Sequence, residues 1–141
     1  MTLKEVQEQI IEEFEIYEDW MDKYNYLIEL SQNLPALDPK YKSREYLIEG
    51  CQSKVWLYAE MDGDIIKYTA DSDAIITKGI VALLIRVMSG RSPEEIKDAD
   101  LFFIDRIGLK DNLSPTRANG LFSMVKQMKL YALAYFAKQQ K

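Results

Sequence analysis

The stretch Val55-Trp56-Leu57-Tyr58-Ala59-Glu60-Met61-Asp62-Gly63-Asp64-Ile65-Ile66-Lys67-Tyr68-Thr69-Ala70 decides the fold class. Val55, Leu57, Ala59 and Met61 alternate with Trp56, Tyr58 and Glu60, the period of a strand that buries one face. Asp62-Gly63 is a two-residue turn signal. Ile66, Tyr68 and Ala70 then alternate on a return strand.

What flanks this hairpin reads as helix. Thr2 with Glu5 three residues on forms a capping box, and Leu3, Val6, Ile10, Phe14 and Tyr17 follow at helical spacing. Trp20, Tyr24, Leu27, Leu30 or Ser31, and Leu34 trace a second helix, which Pro35 and Pro39 end. Residues 36–53 are irregular and polar apart from Tyr46-Leu47-Ile48. Beyond the hairpin, Asp71-Ser72-Asp73 offers N-caps for a third helix over Ala74 to Met88. That helix is apolar nearly all round and is expected to be the most buried. Ser92-Pro93-Glu94-Glu95 opens a short helix, and Gly108 marks a break. Ser114-Pro115 opens the last helix, with Ala118, Leu121, Phe122, Val125, Met128, Ala132 and Tyr135 expected on its buried face. The expected fold is α+β: a small antiparallel sheet packed against several helices, in one domain over residues 1–141.

Composition removes several function classes. With 141 residues, 48% hydrophobic and 29% charged, the chain is an ordinary globular one. Its net charge of −5 leaves no overall basic footprint for nucleic acid. The longest apolar candidate, Ala74 to Met88, is interrupted by Thr77, Lys78, Gly79 and Arg86, so no membrane span is expected. The N-terminus turns acidic at once and lacks a secretory h-region, which gives a cytoplasmic expectation. Zero histidines remove Ser-His-Asp and Cys-His catalysis and His-ligated metals. A single cysteine removes internal disulfides and four-thiolate metal sites. No bound cofactor is expected.

Three segments carry the remaining chemistry. In Ile48-Glu49-Gly50-Cys51-Gln52-Ser53-Lys54-Val55, Cys51 follows a glycine and sits on a loop just before a strand, where a thiol can be presented to a partner. Lys54 is a local source of positive charge for a thiolate. An inert, buried cysteine fits the same residues. In Leu113-Ser114-Pro115-Thr116-Arg117-Ala118-Asn119-Gly120-Leu121, Arg117 falls in the first turn of a helix, the unfavourable end for a cation. Gly120 weakens the same helix by roughly 1 kcal/mol relative to alanine. These two local costs point either to a tertiary role, with Arg117 facing an anion such as a thiolate, or to a salt bridge and a tight helix contact. In Asp71-Ser72-Asp73-Ala74 with Lys78-Gly79, capping and packing explain most of the pattern, and Asp73 could also fix the cysteine loop.

In this order and spacing, the three segments resemble the SufE family of sulfur-acceptor proteins. Lys23-Tyr24, Leu27-Ile28 and Leu34-Pro35 fit the family's N-terminal pattern, so the resemblance covers nearly the whole chain. It implies that Cys51 accepts sulfur as a persulfide from a PLP-dependent, SufS-like cysteine desulfurase, with the PLP held by that partner. It further implies stimulation of the desulfurase and delivery of sulfur to a SufB-like iron–sulfur scaffold complex. Arg117 and Asp73 are carried over only as supporting residues. Two positions depart from the family pattern: Tyr46 stands where many members have Asn, and Thr116 where serine is usual. The competing expectation is a non-catalytic protein-binding module with an incidental cysteine. The polar, glycine-hinged loop also motivates a resting state in which Cys51 is tucked against apolar side chains and extends when the desulfurase docks.

Overall fold

The computed structural model describes residues 1–140. Helices α1 (Leu3–Glu15) and α2 (Trp20–Gln32) precede a hairpin of β1 (Val55–Asp62) and β2 (Ile65–Ser72). Four helices follow: α3 (Ile75–Met88), α4 (Pro93–Lys97), α5 (Phe103–Arg106) and α6 (Pro115–Gln139). The α+β expectation of a small antiparallel sheet against several helices holds.

The local signals act largely as read. Thr2 Oγ1 accepts from the Glu5 amide at 3.0 Å and Glu5 reciprocates on the Thr2 amide, so two orphan donors of α1 are satisfied. Tyr17 falls just past the end of α1. On α2 the choice between Leu30 and Ser31 goes to Ser31, which is buried and donates to the Ile28 carbonyl. In the hairpin Asp62 pairs with Ile65, so the loop is Gly63-Asp64, one residue later than the Asp-Gly signal suggests. Gly63 alone takes a positive φ, +62°, as a glycine-first turn requires. This register keeps Val55, Leu57, Ala59, Ile66, Tyr68 and Ala70 on the buried face.

The hairpin's inner face meets α3, whose Ile80, Val81, Leu84 and Val87 are buried with it in one cluster. On the other side α2 lies so close to α3 that a Cβ at Gly79 would sit 2.2 Å from the Leu27 carbonyl oxygen. Gly79 is therefore a packing requirement. Arg86 of α3 donates to both carboxylate oxygens of Glu13 at 2.9 and 2.6 Å, tying α1 to the same helix. Helix α6 completes the core with Leu121, Met124, Met128 and Ala132. Here the expected face needs a correction: Met124 is buried, whereas Phe122 is 47% exposed. The buried line runs 121, 124, 128, 132, and Phe122 lies one residue round the helix toward solvent.

Both open edges of the hairpin are covered only in places. Leu47 bridges Trp56, and the Ile48 amide donates to the Val55 carbonyl at 2.9 Å. On β2, Ile66 exchanges hydrogen bonds with Gly90 and Arg91. The Leu47 and Ile48 contacts fix where the chain enters the segment carrying Cys51.

Candidate functional site: the Cys51 cleft

Cys51 lies on a short loop pinned at both ends. Before it, the Ile48 amide is held by Val55. After it, Lys54 is clamped through its backbone: its amide donates to Asp73 Oδ1 at 3.0 Å, and its carbonyl accepts from the Asp73 amide at 3.2 Å and from Ser72 Oγ at 2.9 Å. Asp73 and Ser72 thus serve the cysteine loop. The expected helix cap is corrected accordingly, because the N-cap of α3 is Ala74, with no side-chain cap, and Asp73's carboxylate is committed to Lys54. Ser72 Oγ accepts from the Ala74 amide at 3.2 Å and gives that helix start its remaining support.

Glycine is needed at position 50 because φ is +91° and the backbone runs against α6. A Cβ there would meet Ser123 Oγ at 2.4 Å. This contact sets Cys51 on the next turn of α6, where its thiol donates to the Gly120 carbonyl at 3.6 Å. A Cβ at Gly120 would lie 3.5 Å from Cys51 Sγ, an ordinary van der Waals distance. The loop therefore packs closely on Gly120 without requiring glycine there.

The thiol faces a cleft of about 330 Å³. Thr77 and Ile80 of α3 and Met124 of α6 form part of its wall, and Ser114, Thr116 and Arg117 bring in the start of α6. Cys51 is half-buried, and burial pushes its thiol pKa up. At neutral pH the resting group is a protonated S–H, consistent with its donation to Gly120. Ser114 caps α6 by accepting from the Arg117 amide at 3.2 Å. Among the described residues the Arg117 guanidinium makes no ion pair, so the salt-bridge alternative for it is not what the structure contains. Arg117 lines the cleft with Cys51, whereas Lys54 does not.

Two neighbouring features were not foreseen from the sequence. Asp71 bridges Lys42 at 2.8 Å and Lys78 at 3.3 Å, tying residues before the loop to α3. Burial disfavours its charge, but Lys42, the Ser72 amide and Lys78 together outweigh burial and hold its carboxyl below the usual range. Tyr46, the departure from the family pattern, joins an aromatic cluster. It meets Tyr41 edge-on at 5.2 Å and Tyr58 at 5.7 Å, while Tyr41 stacks on Tyr58 at 3.7 Å. The chain is thus anchored to β1 by ring packing five residues before the cysteine. Among the described residues no group of His, Cys, Asp and Glu side chains is placed to hold a metal ion, and no helix is long and apolar enough to cross a membrane.

A sequence model of SufE, described as an Fe-S metabolism associated domain, matches residues 8–132. The chain belongs to the SufE family. An uncharacterized SufE-like protein of Rhizobium etli is 42% identical over 127 residues, covering 86% of each chain. The SufE-like protein 1 of Arabidopsis thaliana, chloroplastic/mitochondrial by its name, is 40% identical over 127 residues, covering 89% of this chain and 34% of its own. In fold, the chain matches the solution structure of a hypothetical protein from Thermus thermophilus, with a TM-score of 0.77 at 19% identity, covering 94% of this chain and 96% of that one. As a member of the SufE family, the protein takes part in iron–sulfur metabolism.

Proposed function

We propose that this SufE-family chain is a sulfur carrier working through Cys51. A PLP-dependent cysteine desulfurase presents a persulfide on its own cysteine. Cys51, as thiolate, attacks the terminal sulfur; a new Sγ–S bond forms as the donor's S–S bond breaks. The donor cysteine leaves as thiolate and takes up a proton, so no outside oxidant or reductant is needed. Clearing the donor's persulfide frees it for another turnover, which is how an acceptor also stimulates. The persulfide on Cys51 is then passed on for iron–sulfur cluster assembly.

The observation that carries this proposal is the placement, on one cleft, of the chain's only thiol with a guanidinium that has no carboxylate partner among the described residues. Thiol exchange needs a thiolate and access, and no histidine base. A positive charge beside Cys51 favours the anionic forms of both thiol and persulfide. Arg117 is the residue we assign to that task, with Asp73 positioning the loop through Lys54. The raised pKa of the resting thiol fits a carrier kept unreactive until its loop is drawn out.

The test is desulfurase turnover, followed as alanine released from cysteine. Wild-type chain is expected to raise the steady-state rate and Cys51→Ser to give none of that increase. Equal stimulation by the two proteins would overturn the assignment.

A further inference from the structure

Among the described residues four of polar type are buried: Gln7, Ser31, Ser72 and Thr77. A buried polar side chain is costly unless it is hydrogen-bonded. Gln7 bonds the Asp100 carbonyl and the Phe103 amide, Ser31 the Ile28 carbonyl, and Ser72 the Lys54 carbonyl and the Ala74 amide. Thr77, 8% exposed, is the exception, and its hydroxyl has no partner among the described residues. No side-chain oxygen or nitrogen there is both sealed from solvent and unpartnered. The Thr77 oxygen therefore opens onto the cavity that its residue lines, the Cys51 cleft. Thr77 stands three residues before Ile80 and seven before Leu84, on the stripe of α3 that faces the core. An apolar side chain would serve there as packing, so the hydroxyl is a group the fold itself does not use.

Loading of Cys51 supplies a group for that hydroxyl. It adds one sulfur at about 2.05 Å from Sγ and removes the S–H hydrogen that donates to the Gly120 carbonyl at 3.6 Å. The carbonyl then faces a sulfur lone pair in place of a donor, so the two-sulfur unit turns away from Gly120. The space open to it is the cleft of about 330 Å³. A persulfide is more acidic than a thiol, so its terminal sulfur is an anion at neutral pH and takes hydrogen bonds strongly. Ser114, Thr116 and Arg117 are exposed at the start of α6. Helix α3 lines the cleft with Thr77 and Ile80, so among the described residues the Thr77 hydroxyl is the one side-chain donor that helix offers there.

We propose that Thr77 holds the terminal sulfur of the Cys51 persulfide, its hydroxyl donating to the anion inside the cleft. The inference rests on the sulfur-carrier reading above. Arg117 brings charge from α6, and Thr77 brings a directed hydrogen bond from α3. That bond favours the anionic form and lowers the nucleophilicity of the sulfur while the loop is retracted. Drawing the loop out breaks the bond and restores reactivity.

The test compares wild type with Thr77→Val, a near-isosteric change on an apolar stripe, and with Thr77→Ser. Inorganic polysulfide places the persulfide on Cys51 without any desulfurase: the thiolate takes one sulfur and the shortened polysulfide leaves as the anion. Intact mass verifies the gain of one sulfur. The readout is the rate at which iodoacetamide alkylates the terminal sulfur, followed against pH. Thr77→Val is expected to raise the high-pH plateau about fivefold and to move the midpoint of the profile upward, because the anion has lost a donor. Thr77→Ser is expected to bring both back toward wild type. A plateau and midpoint in Thr77→Val equal to wild type would overturn the inference. So would a Thr77→Ser protein that behaves as Thr77→Val. An equal acceleration at the unloaded Cys51 thiol would also overturn it, since the substitution would then act on the loop and not on the added sulfur. A wild-type chain that shows this dependence on Thr77 but gains no sulfur from an active desulfurase would count against the sulfur-carrier reading and leave the Thr77 hydrogen bond standing.

Discussion

Replacing Gly50 by alanine is expected to free the cysteine loop without unfolding the protein. Two costs arise at this position. The backbone φ of +91° is strained for any residue with a Cβ, by about 1–2 kcal/mol. The new methyl would also meet Ser123 Oγ at 2.4 Å and Ser123 Cβ at 3.3 Å. The hydroxyl can rotate away and the Cβ contact needs only a small shift, so backbone strain sets the magnitude. The loop can escape that strain by leaving α6, because its ends are held independently by Ile48 and Lys54. Its released population should therefore rise roughly 5–30-fold, while global stability falls by no more than the cost of local opening. The assay is the rate of Cys51 alkylation by iodoacetamide at neutral pH, followed by intact mass. Release also returns the thiol toward its ordinary pKa, which adds to the acceleration. An unchanged alkylation rate in the folded variant would refute the view that the seat on Gly120 and Ser123 keeps Cys51 retracted.

Other perturbations separate packing from chemistry. Gly79→Ala should destabilise by about 3 kcal/mol and lower Tm by roughly 6–12 °C, because its methyl meets the Leu27 backbone; thermal denaturation checks this. Gly120→Ala should do the opposite, stabilising by up to about 1 kcal/mol, since the added methyl reaches Cys51 Sγ at 3.5 Å without a clash. Arg117→Ala should change stability by less than about 0.5 kcal/mol yet slow persulfide loading, with Arg117→Lys recovering part of the rate. For pH, burial raises the folded-state pKa of Cys51. The linked stability is fully present below the ordinary thiol value and is lost as pH rises through the folded value. The Tm difference between wild type and Cys51→Ser should therefore shift against wild type above pH ~8.5.

Much of this architecture is legible in the residues. The hairpin and the starts of α1 and α6 are written as local patterns, with Thr2-Glu5 and Ser114-Pro115 satisfying amides within one turn. The Cys51 segment is equally local. What escapes sequence is which distant group uses a given side chain. Asp73 carries an oxygen suited to capping, but the amide it serves is Lys54, nineteen residues earlier across the hairpin. Tyr46 gives no hint of its role until the hairpin brings Tyr58 beside it and the turn at Pro39–Tyr41 brings Tyr41. On α6 the periodicity locates the buried side to within about one residue, which suffices to exchange Met124 for Phe122. That Arg117 has no carboxylate partner among the described residues is a fact about three dimensions, and it is what supports proposing this locally unfavourable cation as a partner of Cys51.

The most direct measurement is intact-protein mass spectrometry after incubation with an active cysteine desulfurase, PLP and cysteine, in the absence of reductant. A gain of one sulfur atom is predicted, absent in Cys51→Ser and reversed by reductant. No gain, with a desulfurase shown to be turning over, would contradict the sulfur-carrier account and leave Cys51 as a packing residue of a binding module.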